Sequence, residues 1–95
     1  MIIDENYNGI MKEKYEYVIN DCIDTKESIT IILDMPIYVK GYIRSDGDIS
    51  SDCYISSDGY IRSSGDISSD GDISSDGYIR SGGDIISGGN IRSSG

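Results

Sequence analysis

Residues 37–95 read IYVKGYIRSDGDISSDCYISSDGYIRSSGDISSDGDISSDGYIRSGGDIISGGNIRSSG, and in this stretch an isoleucine stands at every sixth position. The ladder comprises Ile37, Ile43, Ile49, Ile55, Ile61, Ile67, Ile73, Ile79, Ile85 and Ile91, with no step missed. A period of six does not fit a helix of about 3.6 residues per turn, so the pattern is an internal repeat. A longer period lies over it. Tyr42-Ile43-Arg44-Ser45 returns as Tyr60-Ile61-Arg62-Ser63 and again as Tyr78-Ile79-Arg80-Ser81, eighteen residues apart each time. Three hexads make one coil. The expected fold is all-β: a parallel β-solenoid of triangular 18-residue coils over residues 29–95, with a small N-terminal cap over residues 1–28.

Side chains alternate along a strand, so each ladder Ile points inward together with the residues two before and two after it. That inward set is Ile, Ser and Gly, with Cys53 in one glycine slot. Small residues beside each Ile let three short strands close tightly about an axis. Glycine also permits the positive φ that a sharp corner can require. Successive coils are expected about 4.8 Å apart.

Residues 1–28 hold 7 of the 17 acids together with Lys12, Lys14 and Lys26. Asn8-Gly9 and Asn20-Asp21 are turn signals, and Lys12 to Ile19 reads as a short helix or as a strand with Tyr15, Tyr17 and Ile19 on one face, the strand being preferred for its β-formers. From Ser28 the chain is β-rich. Ile31 lies six residues before Ile37, which starts the first coil near Ile29, and Pro36 suits a corner or a strand start.

The composition fits a repeat whose core is filled by one residue type: 19 Ile, 16 Ser and 12 Gly, with no Phe, Trp or His among 95 residues. The net charge of -9 disfavours direct attraction to nucleic acid or to an anionic membrane and favours a basic protein partner. Cys22 and Cys53 form no CxxC pair, no secretory leader is evident, and no apolar run approaches the about 20 residues of a membrane span. A cytoplasmic protein with reduced, structural thiols is expected.

The Ile spacing and the 18-residue coil resemble the hexapeptide-repeat β-solenoids, the left-handed β-helix in particular, over residues 31–95. The Gly-Asp-Ile wording is similar to that of bactofilin-like, polymer-forming β-helices, which are right-handed. Hexapeptide-repeat acyltransferases and carbonic anhydrases rely on histidine. This chain has none, so their activity does not carry over, and neither an enzyme nor a cofactor is expected.

Stacked coils turn sequence positions into surface columns. One face is expected to carry Tyr42, Tyr60 and Tyr78 beside Arg44, Arg62 and Arg80. These side chains either cover strand backbone, with cation–ring contacts of about 0.5–1 kcal/mol each, or form a flat recognition face. Acids fill the next columns: Asp48, Asp66 and Asp84 on the adjacent face, Asp72 on the third, and Asp46, Asp52, Asp58, Asp70 and Asp76 at corners. Asp52 over Asp70 and Asp58 over Asp76 place like charges one coil apart, costing about 0.9 kcal/mol per pair even in water. Turn formation and solubility account for acids at corners. Oxygen ligands of Asp46-Gly47-Asp48 and Asp70-Gly71-Asp72 from adjacent coils could hold calcium, but the spacing matches neither the EF-hand loop nor the nonapeptide calcium repeat, so no metal is expected.

Mimicry of nucleic acid accounts for them as well. Residues 43–90 hold nine acids and three arginines, net -6. Over about 13 Å of solenoid axis that is one charge per roughly 2 Å, against about 1.7 Å for duplex DNA. Pentapeptide-repeat solenoids show that such a rod can imitate a duplex. The expected function is a non-catalytic acidic inhibitor of phage type, anti-CRISPR-like, that blocks a basic nucleic-acid-handling protein. The alternative is a bactofilin-like self-assembling scaffold. The array reaches Gly95 without a polar cap, from which a homodimer through the C-terminal coils is expected, using Ile85, Ile91 and Arg92.

Overall fold

Isoleucine, branched at Cβ, favours extended backbone, and each ladder Ile opens a strand of only three residues. The structure, a computed structural model, describes residues 1–95 and contains fifteen strands and no helix. They are β1 (Ile2–Ile3), β2 (Ile10–Lys12), β3 (Tyr17–Ile19), β4 (Ile23–Thr25), β5 (Ile29–Ile31), β6 (Ile37–Val39), β7 (Ile43–Ser45), β8 (Ile49–Ser51), β9 (Ile55–Ser57), β10 (Ile61–Ser63), β11 (Ile67–Ser69), β12 (Ile73–Ser75), β13 (Ile79–Ser81), β14 (Ile85–Ser87) and β15 (Ile91–Ser93).

Every third strand joins the same sheet. The orders are β1-β5-β8-β11-β14, β4-β7-β10-β13 and β2-β3-β6-β9-β12-β15. From β6 onward the pairing is parallel and in register at eighteen residues, as in Ile43 beside Ile61 beside Ile79. The chain is a β-solenoid of four coils with a fifth begun by β15.

The ladder from Ile37 to Ile73 is fully buried. Ser45, Ser51, Ser57, Ser63, Ser69 and Ser75, each two residues after an Ile, are buried with it. Burying a hydroxyl requires partners, and backbone carbonyls supply them, from the same coil for Ser51 and Ser57 and from the coil below for the others. Ser63 Oγ donates to the Gly47 carbonyl, Ser69 Oγ to that of Cys53 and Ser75 Oγ to that of Gly59. The same oxygens accept from the amide two residues ahead, Gly65 N–H to Ser63 and Gly71 N–H to Ser69. No buried side-chain nitrogen or oxygen is left unpaired.

The glycines of the array do not have positive φ; only Gly9, in the Asn8-Gly9 turn, does, at 94°. Their role is close stacking. A Cβ on Gly59 would lie 2.9 Å from the Tyr42 nitrogen, and one on Gly77 would lie 2.8 Å from the Tyr60 nitrogen. Backbone passes directly over backbone at these corners, and a methyl group has no room.

Parallel stacking begins at Tyr17, inside the stretch expected as cap. Tyr17, Ile23 and Ile29 are ladder positions at six-residue spacing, and β3, β4 and β5 lie under β6, β7 and β8. The offset there is twenty residues, because the corner from Ile32 to Pro36 carries two extra residues. Ile31 consequently aligns with Ser51 and not with a ladder Ile. Lys12 to Ile19 is not one strand: β2 and β3 form an antiparallel hairpin, with Tyr15 at its exposed turn and Tyr17, Val18 and Ile19 buried. β1 and β2 cover the lower edges of β5 and β3.

Candidate functional site

The outer residues stack as columns because the register is exact in sequence from coil to coil. On the β4-β7-β10-β13 sheet the rings of Tyr42, Tyr60 and Tyr78 lie 4.7 and 4.9 Å apart and within 12° of parallel. Such ring pairs contribute about 0.5–1.5 kcal/mol each beyond the area they bury. Cys22 begins this column, its Sγ accepting the Tyr42 N–H at 3.4 Å. No guanidinium covers these rings, contrary to one expectation; the cation–ring contacts are Lys12 with Tyr17 and Lys14 with Tyr15, in the cap hairpin.

The arginine column is not uniform. Arg44 is held by Asp24 and Asp46, each at 2.9 Å. The hydrogen bond to Asp24 and the charge of Asp46 raise its pKa further. Tyr42 also donates to Asp24, at 3.3 Å, and that carboxylate pushes its phenol pKa up. Arg62 and Arg80 have no ion pair. Their corner column reads Asp46, Ser64, Gly82, so the neutralising acid is lost above the β7 coil.

The aspartates before the ladder have a structural task the sequence reading missed. Asp48 Oδ1 accepts the Asp66 N–H at 2.8 Å, Asp66 Oδ1 accepts the Asp84 N–H at 2.8 Å, and Asp72 Oδ1 accepts the Asn90 N–H at 2.7 Å. Ser28 starts this chain of clasps by accepting the Asp48 N–H. A Cβ on Gly65 would collide with Asp48 Oδ1. The Gly-Asp pair is therefore one device: glycine leaves room for the carboxylate below, and aspartate holds the coil above. Each clasp uses one carboxylate oxygen; Asp48 and Asp66 stay exposed, whereas Asp72 is half-buried.

At the corners Asp52 accepts the Leu33 N–H and Asp58 accepts the Tyr38 hydroxyl, which raises the Tyr38 pKa. Asp70 and Asp76 above them are exposed. The nine array acids are thus not one surface. Asp46 is paired with Arg44, Asp58 and Asp76 share a corner, and Asp72 lies before β12. The remaining five, Asp48, Asp66, Asp84, Asp52 and Asp70, flank the β8-β11-β14 strip as two rows.

These rows are four residues apart along the chain, about 13 Å for extended backbone. The outward residues between them are Ser50 and Ser68, then Ile86, which is 57% exposed. No Lys or Arg lies on this strip in β8, β11 or β14. The arginines are elsewhere, on the tyrosine sheet and, as Arg92, on β15.

Of the residues expected in self-association, Ile85 is half-buried, Ile91 is 47% exposed and Arg92 is exposed. The outer edges of β13, β14 and β15 carry no partner strand. Both cysteines are free, and burial raises the pKa of the Cys53 thiol. No three carboxylates or thiols converge on one point. Comparison with family models, with curated proteins and with solved structures finds no match for this chain.

Proposed function

We propose that this chain is a non-catalytic acidic binding protein whose β8-β11-β14 strip occupies a basic groove in place of a duplex. The target would be a nucleic-acid-handling protein in the cytoplasm, and the mode that of an anti-CRISPR-like inhibitor of phage type. One observation carries the reading: five carboxylates in two parallel rows flank a narrow strip of Ser50, Ser68 and Ile86 that holds no base. The clasps of Asp48 and Asp66 fix those carboxylates in place, so little side-chain freedom is lost on binding. Charge of one sign in ordered rows speeds encounter with a basic groove and makes it salt-dependent. The Ile+2 serines are engaged inward with backbone carbonyls, and the chain holds no histidine to activate an outward one. The test is capture of a basic partner at low salt, followed by challenge with duplex DNA. A partner that duplex fails to displace contradicts the reading.

The open edges of β13, β14 and β15, with Ile86, Ile91 and Tyr78 exposed beside them, favour a second reading: self-association through the C-terminal coils. The cap covers β3 and β5 at the other end, so pairing closes as a homodimer instead of growing a bactofilin-like filament from hexapeptide-type coils. Light scattering on a dilution series separates these. Dimers at micromolar concentration support pairing, monomers contradict it, and filaments in electron micrographs support the scaffold.

A further inference from the structure

We infer that Arg62 and Arg80 form a phosphate-binding site on the tyrosine sheet, separate from the acidic strip and independent of it. The two residues are register partners on β10 and β13, so their side chains leave the sheet about 4.8 Å apart. Between them lies a cleft of about 270 Å³ lined by Arg62, Ser63, Ser64, Arg80, Ser81 and Gly82. Its lining contains no carboxylate, on a chain with 17 acids.

The cleft exists because of what the corner column substitutes. Arg44, one coil below, is consumed by Asp46 at its own corner and Asp24 beneath it. For Arg62 the corresponding positions hold Ser64 and Arg44; for Arg80 they hold Gly82 and Arg62. Both acids have been exchanged, and Gly82 leaves the upper corner without a side chain. Ser63 and Ser81 turn their hydroxyls inward to the Gly47 and Gly65 carbonyls, whereas Ser64 is exposed and faces the cleft.

Two stacked guanidinium groups repel one another until an anion bridges them. A carboxylate has two oxygens and satisfies one fork. A phosphate has enough acceptors for both forks and a hydroxyl, which is the pairing that guanidinium geometry favours. The surrounding acids repel a long polyanion, so the ligand is a small phosphate, free or as a monoester.

Titration with inorganic phosphate, acetate and chloride at matched ionic strength, read by NMR at the Arg62 and Arg80 side chains and the Ser64 amide, tests the assignment. Expected is a saturable phosphate-specific shift confined to these three residues, with Kd on the order of 1 mM. R80Q and R62K should each weaken it by about tenfold or more, R62K because it keeps charge but loses the fork. R44Q should leave it unchanged. A phosphate response equal to that of chloride overturns the site, and so does one that survives R80Q and R62K. An acetate response matching phosphate overturns the choice of phosphate. Unchanged amide positions elsewhere in the variants establish that they are folded.

Discussion

Replacing Gly59 with alanine sets two physical effects against each other. Gly59 has no positive φ. On backbone entropy alone, alanine should therefore stabilise the fold by about 0.4–1 kcal/mol. Its Cβ, however, would lie 2.9 Å from the Tyr42 nitrogen and 3.0 Å from the Tyr42 Cα. Neither atom can retreat easily: the Tyr42 N–H is bonded to Cys22 Sγ, and the Gly59 N–H to the Gly41 carbonyl. Overpacking against fixed backbone costs about 1–3 kcal/mol. The net expectation is a loss of about 1–2 kcal/mol, or a Tm lower by roughly 5–15 °C for a domain of this size. Urea and thermal unfolding followed by circular dichroism measure it. A Gly59→Ala protein as stable as the parent, or more stable, refutes the view that these glycines exist to let coils approach. Gly9→Ala is the counterpart, since nothing crowds that Cβ and only its φ of 94° is at stake; its cost should be about 1 kcal/mol.

Ser69→Ala should cost about 1–3 kcal/mol, because it removes a buried oxygen that donates to the Cys53 carbonyl and accepts the Gly71 N–H. Ser68→Ala, on the outward side of the same strand, should stay within about 0.5 kcal/mol, and urea midpoints at unchanged m-value compare the two. Stability should also fall as the solution turns alkaline. Tyr17 and Tyr38 donate to Asp34 and Asp58, which raises their folded pKa values, and burial raises that of Cys53. The stabilisation is complete below the unfolded values, about 8.5 for Cys and 10 for Tyr, and is lost as pH climbs through the folded ones. Tyr17→Phe with Tyr38→Phe should flatten that decline in urea midpoints measured from about pH 8 to about pH 11; an unchanged slope contradicts the assignment.

The solenoid was legible because one residue type repeats without interruption, and a strand needs nothing more than Ile and a small neighbour to alternate inside and out. The first coil was hidden by two local events. Tyr17 takes a ladder place that isoleucine fills elsewhere, and the two extra residues in the Ile32 to Pro36 corner shift its register from eighteen to twenty. Columns could be listed from the period, but their duties could not. Asp48 and Asp66 read as free surface charge, whereas the coil above donates a backbone N–H to each; that contact joins residues eighteen apart and leaves no local mark. Glycine before aspartate was the available signal, and its meaning appears only when the carboxylate below is seen in the space a Cβ would take. The difference between Arg44 and its two successors was likewise written in Asp46, Ser64 and Gly82, yet it matters only once the corner is known to face the guanidinium.

Competition on immobilised protein puts the acidic strip to the test. A basic partner captured from host lysate at low salt is challenged with duplex DNA, beside a variant carrying Asp52→Asn and Asp70→Asn. The substitutions remove two charges from one row while leaving the Asp48 and Asp66 clasps intact. Expected is release of the partner by duplex and markedly weaker capture by the variant, with the difference shrinking as salt rises. A partner retained against excess duplex, or captured equally by the variant, contradicts mimicry by these two rows.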